Sequence, residues 1–336
     1  MAAIAPAPPP AAAPEPPPRT PRRAPRWLDV AALAVGLALL VYVLSRFPLA
    51  DVAQACLRAG PLVLLAPVIA LVWIVFKTLG MRILVDQRVS FGDLLRNRLV
   101  GDGYNSLLPL AGLGGEPWKV RDLSTHVPMQ LAVAALIRDR AIENAVGFLL
   151  TAVVIGLGLG LERFHLPAFL RSALIVYVIV ALVGGVLSSA VVVTHLPGRA
   201  GALLARWLGG SDEPAPGPLP LSRFVRVVLW NLVGRLVGTC EVGLVLYALG
   251  LGFDPAAMVF VDSVLNAAGF IGFLIPQGIG VNEGTAVYLL GVLGYAGPLA
   301  VVFALVRRGR MLLVSLLGVA LHLVGRRTSP ATTPPR

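Results

Sequence analysis

Ser172 to Thr194 read SALIVYVIVALVGGVLSSAVVVT, 23 residues without a charge. About 20 such residues in a helix cross the roughly 30 Å hydrocarbon layer of a bilayer, so this stretch places the chain in a membrane. Further apolar runs lie at 28–45, 61–80, 144–161, 227–249, 256–275, 284–306 and 311–325, and residues 129–143 continue helically into the run at 144–161. The count is eight spans, to within one. Composition agrees: 57% of the 336 residues are apolar and 13% charged, with a mean hydropathy of +0.83, whereas soluble domains carry roughly 25% charged residues. The predicted fold class is all-α, a polytopic membrane helix bundle. The segments between runs are too short for a soluble catalytic domain, so any chemistry must occur within or beside the bilayer.

Residues 1–26 contain ten prolines and eight alanines and end in Arg19, Arg22, Arg23 and Arg26. Such a stretch has no periodicity to bury and reads as a disordered tail. The apolar run at 28–45 is longer than the core of a signal peptide, and the nearest small-residue site, Ala53 to Ala55, lies well past its end. It is therefore read as an uncleaved span. The expected division is a tail at 1–26, a transmembrane domain at 27–325 and a short tail at 326–336. Arginine-rich segments at the tail, 82–121, 195–226 and 326–336 flank alternate ends of the runs, which puts both termini in the cytoplasm beside the plasma (inner) membrane. The net charge of +11 fits cytoplasmic loops and anionic lipid rather than nucleic acid. Of the 28 basic residues only two are lysine, a bias read as codon composition. Cys56 and Cys240 support neither a disulfide framework nor a metal site, and no cofactor is expected.

Ser90 followed by Asp93 reads as a capping box before a helix with Phe91, Leu94, Leu95 and Leu99 on one side. That helix and a second at 199–208 are expected to lie on the membrane surface, and Pro214 to Pro220 to form a linker.

Two stretches are unlike plain spanning helices. One runs from Gly101 through Asn105 and Pro109 to Glu116, and the other from Phe273 through Pro276 and Gly280 to Glu283. Each consists of an apolar half-segment, a proline, a glycine-rich turn and a glutamate. Backbone groups freed by Pro and Gly are tolerated at membrane depth only inside protein or beside a wet cavity, so both are candidate re-entrant loops. A shift of 167 superposes Pro109 on Pro276, Glu116 on Glu283 and Arg140 on Arg307, which points to an internal duplication, parallel or inverted. Coincidence in a chain rich in Gly and Pro is the competing explanation.

Charges also interrupt the apolar runs. Arg138, Asp139, Arg140 and Glu143 share one helix, with Asp139 and Glu143 on one face. Arg235 and Glu241, a candidate buried charge pair, fall in the run at 227–249. Asp262 falls in the next, and Arg307, Arg308 and Arg310 separate the last two. A charge near the bilayer centre costs about 3 kcal/mol on insertion scales, so pairs or water-lined positions are expected. For the last three arginines a headgroup interface serves equally well.

Asn105 to Glu116, the Asp139-Arg140-x-x-Glu143 run and Pro276-x-Gly-Ile-Gly-Val-x-Glu283 resemble the flippase-like transmembrane region of lysylphosphatidylglycerol synthases and their free-standing relatives. The resemblance implies a multi-span bundle that moves a phospholipid, aminoacylated in the best-known members, between leaflets; a related branch accompanies hopanoid synthesis. The soluble synthase domain of the long members has no counterpart in the dozen residues after the last run, so synthase activity is not carried over. Gln277 stands where the pattern has a second glycine, and Asp139 and Glu143 stand where Glu and Asp are expected. The implied headgroup path takes Asn105, Pro109, Glu116, Asp139, Arg140, Glu143, Pro276, Gly280, Glu283 and Arg307. In it Arg140 meets phosphate, and Glu116 and Glu283 meet an amine or hydroxyl or hold the arginines. The expected partners are a membrane phospholipid or related lipid and, in one reading, enzymes of lipid biosynthesis. The alternatives are a membrane-embedded enzyme acting on a lipid phosphate and a non-transporting partner of lipid synthesis.

Overall fold

The computed structural model describes residues 49–107, 114–162, 164–207, 216–252, 254–271, 279–295 and 297–328. The tail at 1–26, the run at 28–45, Pro109, Pro276, the first part of the 214–220 linker and most of 326–336 lie outside the described residues. Among those described, eleven α-helices and no strand occur. They are α1 (Leu49–Ala59), α2 (Ala66–Leu84), α3 (Phe91–Leu107), α4 (Glu116–Leu123), α5 (Met129–Gly160), α6 (Ala168–Val193), α7 (Leu196–Trp207), α8 (Leu221–Ala248), α9 (Pro255–Ile271), α10 (Val281–Val292) and α11 (Gly297–Thr328). A 3-10 turn at Pro61–Leu65 leads into α2.

Proline places three of the long helices. Pro128, Pro167 and Pro220 stand just before α5, α6 and α8 with φ between −57° and −52° and ψ between 140° and 145°. There the fixed φ suits the entry and no helical hydrogen bond is lost to the ring. Pro61–Leu84, α5, α6 and α8 are long and apolar enough to cross a membrane. On α6, Val176, Ile179, Val183, Val186 and Leu187 are all exposed, an outward face that hydrocarbon would cover at no cost.

Two boundaries differ from the sequence reading. The run at 284–306 is cut where α10 ends at a turn containing Gly294, whose φ is +85°. Its remainder joins 311–325 in the single 32-residue α11. Arg307, Arg308 and Arg310 therefore lie inside a helix rather than between two spans, where acids on other helices face them. Secondly, α3 is no surface helix. Asp93 N–H donates to Ser90 Oγ at 3.1 Å and the Ser90 hydroxyl donates to Asp93 Oδ2 at 2.6 Å, the cap read from the sequence. Beyond that cap Leu94, Asn97, Arg98, Leu99 and Val100 are buried, and α3 packs on α11, α2 and α4. The helix expected at 199–208 corresponds to α7, described to Trp207, which packs on α5.

The chain folds as two like quartets, α2–α5 and α8–α11. Helices α3 and α9 hold equivalent places in the two, as do α5 and α11. In each quartet a short helix beginning at or near a glutamate, α4 or α10, stands between them. Packing is reciprocal: α3 lies on α11, α9 lies on α5, and α2 lies along α8. Asp86, just past α2, pairs with Arg223 at the start of α8. Gly80 abuts Asn231, and Gly234 abuts Trp73. Thus α2 and α8 are antiparallel and the quartets run in opposite senses. Each has its own apolar core, one around Val85, Leu94, Leu123 and Ile142, the other around Phe260, Leu289, Leu290 and Phe303.

Candidate functional site

Helices α3 and α4 form a hairpin held by polar side chains. Asn97 Nδ2 donates to the Lys119 carbonyl and to Asp122. At the far end Asn105 Oδ1 accepts from Gly115 N–H at 2.7 Å, and its Nδ2 donates to Glu116 Oε1 at 2.9 Å. Gly115 must be glycine, since a Cβ there would stand 1.9 Å from the Gly101 carbonyl oxygen. Asn105 and the two glycines thereby fix where Glu116 begins α4.

Around Glu116 the first ionic cluster assembles. Arg140 donates to Glu116 at 2.8 Å and lies 3.6 Å from Glu143. Lys77 of α2 reaches Glu143 at 2.5 Å, and Arg98 of α3 reaches Asp139 at 2.6 Å. Lys119 bridges Asp102 at 2.7 Å and Glu116 at 3.1 Å. Four cations meet four carboxylates. The cluster is neutral, which is the condition for holding so many charges within an apolar bundle. Asn105, Glu116, Asp139, Arg140 and Glu143, picked from the sequence, come together here. Arg138 instead turns away to donate to the Gly217 carbonyl.

The sequence reading missed Lys77, Arg98, Asp102 and Lys119. A signal existed, because Lys77 and Lys119 are the only lysines in a chain that otherwise uses arginine, and both are buried. At Lys119 a compact ammonium on a flexible stem fits between Asp102 and Glu116, where a planar guanidinium would need more room.

The second cluster repeats the first across the other quartet. Gly280, with φ at +80°, caps α10, a conformation that glycine adopts without strain. Its N–H donates to Glu283 Oε2 at 2.7 Å, while Glu283 Oε1 accepts from Arg308 Nε at 2.6 Å. Asp262 of α9 faces Arg307 at 3.7 Å and Arg235 at 3.9 Å, and Arg310 lies 3.1 Å from Glu241. The candidate pair Arg235–Glu241 is thus corrected: each faces a partner on another helix, because the bundle brings α9 and α11 against this part of α8.

The correspondence is positional. Arg98 and Asp262 are each the eighth residue of their helix, and each meets a partner on the long helix that closes its quartet, Asp139 on α5 and Arg307 on α11. Arg140 meets Glu116 and Arg308 meets Glu283, so by its partner Arg308, not Arg307, is the counterpart of Arg140. Lys77 and Glu241 each stand seven residues before their helix ends. Hence Glu116–Arg140 is repeated as Glu283–Arg308 with its signs kept. Arg98–Asp139 and Lys77–Glu143 are repeated as Asp262–Arg307 and Glu241–Arg310 with their signs exchanged.

Trp73 stands between the clusters. Lys77 Nζ of the first lies 4.9 Å from its ring centroid. Trp73 also lines a cavity of about 50 Å³ bounded by Arg235, Glu241, Asp262, Arg307 and Arg310 of the second. A larger cavity of about 190 Å³ adjoins it, sharing Asn266, Arg307 and Arg310 and reaching Asn282, Glu283 and Arg308.

The family model described as Lysylphosphatidylglycerol synthase TM region matches residues 30–318, nearly the whole chain. No curated protein and no solved structure matches it.

Proposed function

The chain belongs to the family of the lysylphosphatidylglycerol synthase transmembrane region, and from that premise we propose that it moves a phospholipid or other polar-headed lipid between leaflets. The observation that carries this reading is the pair of mirrored ionic clusters meeting at Trp73. A headgroup needs polar partners at each depth while its tails remain in hydrocarbon, and hydrogen-bonded charges inside the bundle supply them.

The charge distribution orients the path. Arg82 and Arg88 lie by the end of α2, and Arg223 and Arg226 by the start of α8, which supports a cytoplasmic position for that side. Hairpin α3–α4 then enters from the cytoplasmic face and hairpin α9–α10 from the opposite face. With the run at 28–45 as a first span, the count becomes six spans and two re-entrant hairpins, with both termini cytoplasmic in a plasma membrane. Taking the run at 256–275 as a hairpin arm and α11 as one span gives the odd parity that an inverted repeat requires, which eight spans did not. On α5 the first cluster begins about 16 Å along a helix of roughly 48 Å, a depth that suits the hydrocarbon layer.

Glu116→Ala and Arg140→Ala remove the centre of the first cluster. In proteoliposomes each should abolish exchange of a labelled phospholipid while the protein still elutes as a folded species. Unchanged exchange in both variants refutes the path. Release of inorganic phosphate from a lipid phosphate would assign an enzyme instead, because transport leaves its substrate intact. Neither exchange nor turnover would leave a partner role in lipid biosynthesis.

A further inference from the structure

The two clusters share a design but not a charge balance. The first sets Lys77, Arg98, Lys119 and Arg140 against Asp102, Glu116, Asp139 and Glu143, each ion within 3.1 Å of an opposite charge. The second sets Arg235, Arg307, Arg308 and Arg310 against only Glu241, Asp262 and Glu283, leaving one positive charge in excess among the described residues. The shortfall falls at one place. Arg235 and Arg307 both face Asp262 from beyond hydrogen-bond reach, at 3.9 and 3.7 Å, and Thr239 takes Asp262 Oδ2 at 2.8 Å. Arg235 Nε and Arg307 Nη1 are buried without a hydrogen-bond partner, and Arg307 lines both cavities.

We propose that the larger cavity binds the phosphate of the transported lipid, with Arg307 as the principal ligand and Arg308 beside it on the wall. The proposal rests on the transport reading and gives it a substrate class, moving the phosphate from Arg140 to the other quartet. A phosphate oxygen supplies the acceptor that Arg307 Nη1 lacks, and the single negative charge of a phosphodiester balances the excess. Asn266 and Asn282 on the cavity wall add neutral polar groups. Arg140 is not available in the same way, since Glu116 and Glu143 already hold it. The cavity, at about 190 Å³, far exceeds the roughly 30 Å³ share of one water.

The test is titration calorimetry of the full chain in a nonionic detergent with three probes: dihexanoyl phosphatidylglycerol, dihexanoylglycerol without phosphate, and inorganic phosphate. The phosphatidylglycerol should bind saturably at one site per chain and the phosphate-free lipid should not. Arg307→Gln should weaken binding about 10- to 100-fold, the worth of a charge-assisted hydrogen bond. Arg307→Lys should retain most of it, and Arg171→Gln, at an exposed pair with Glu162, all of it. Equal binding of the phosphate-free lipid to the unmodified chain overturns the proposal, whether or not the variants fold. So does phosphatidylglycerol binding that Arg307→Gln leaves unchanged. Inorganic phosphate binding as tightly as the lipid supports the anion site but assigns it to the free ion, which overturns the lipid part. Intact phosphatidylglycerol binding without leaflet exchange refutes the transport reading and supports the site.

Discussion

Reversing the Arg98–Asp139 ion pair gives a sharp test of the duplicated design. Both side chains are nearly sealed, 6% and 9% exposed, with nitrogen and oxygen 2.6 Å apart. Removing one partner of such a pair strands the other and costs about 3–5 kcal/mol, or two to four decades in the folding equilibrium. Arg98→Asp and Asp139→Arg should each lose at least that much. Joined in one chain they recreate the arrangement at Asp262 and Arg307, the matching positions of the other quartet, so the fold has already accommodated that polarity. Rescue is incomplete, because the new carboxylate at 98 faces Asp102 and Glu143, whose charges reach the Arg98 site. More than half of the loss should return, a coupling of about 3 kcal/mol or more in a double-mutant cycle. Thermal and denaturant unfolding in nonionic detergent reads all four corners. A double variant as unstable as the summed singles refutes the equivalence of the two pairs.

Trp73→Ala opens the partition between the clusters and removes its contact with Lys77. A barrier lowered by about 1–2 kcal/mol, the scale of a desolvated cation–π contact, speeds exchange roughly 5- to 30-fold; a rate below wild type in a folded variant contradicts the partition role. In a background with Cys56 and Cys240 replaced by serine, Thr125→Cys at the base of hairpin α3–α4 should react with an impermeant maleimide from the cytoplasmic face only. Pro255→Cys at the base of hairpin α9–α10 should react from the opposite face only, and labelling of both from one face refutes the inverted orientation.

Much of this arrangement is legible in the sequence. Apolar runs such as 172–194 mark spans by length alone, and the glycines just before Glu116 and Glu283 mark where α4 and α10 begin. The Asp139-Arg140-x-x-Glu143 run exposes one wall of the first cluster, because charges so placed need partners. What stays hidden is the identity of those partners. Lys77 and Arg98 lie 66 and 41 positions before the acids they meet, and no local pattern encodes a contact that packing of separate helices creates. The same cause explains the misplaced break in α11. Three arginines look like the end of a span until Asp262, Glu283 and Glu241 are seen to face them. The sign exchange between quartets also hides the repeat from a comparison of residue types, since Arg98 matches Asp262 and Lys77 matches Glu241.

The most direct measurement is leaflet exchange by the unmodified chain. Liposomes carrying a fluorescent phosphatidylglycerol in both leaflets are treated with a membrane-impermeant quencher, with and without the reconstituted protein. Protein-free vesicles lose about half of the signal, the outer-leaflet share. The account predicts that vesicles holding the protein lose nearly all of it, with the lipid recovered chemically intact. Protection of the inner half in vesicles that hold folded protein would contradict it.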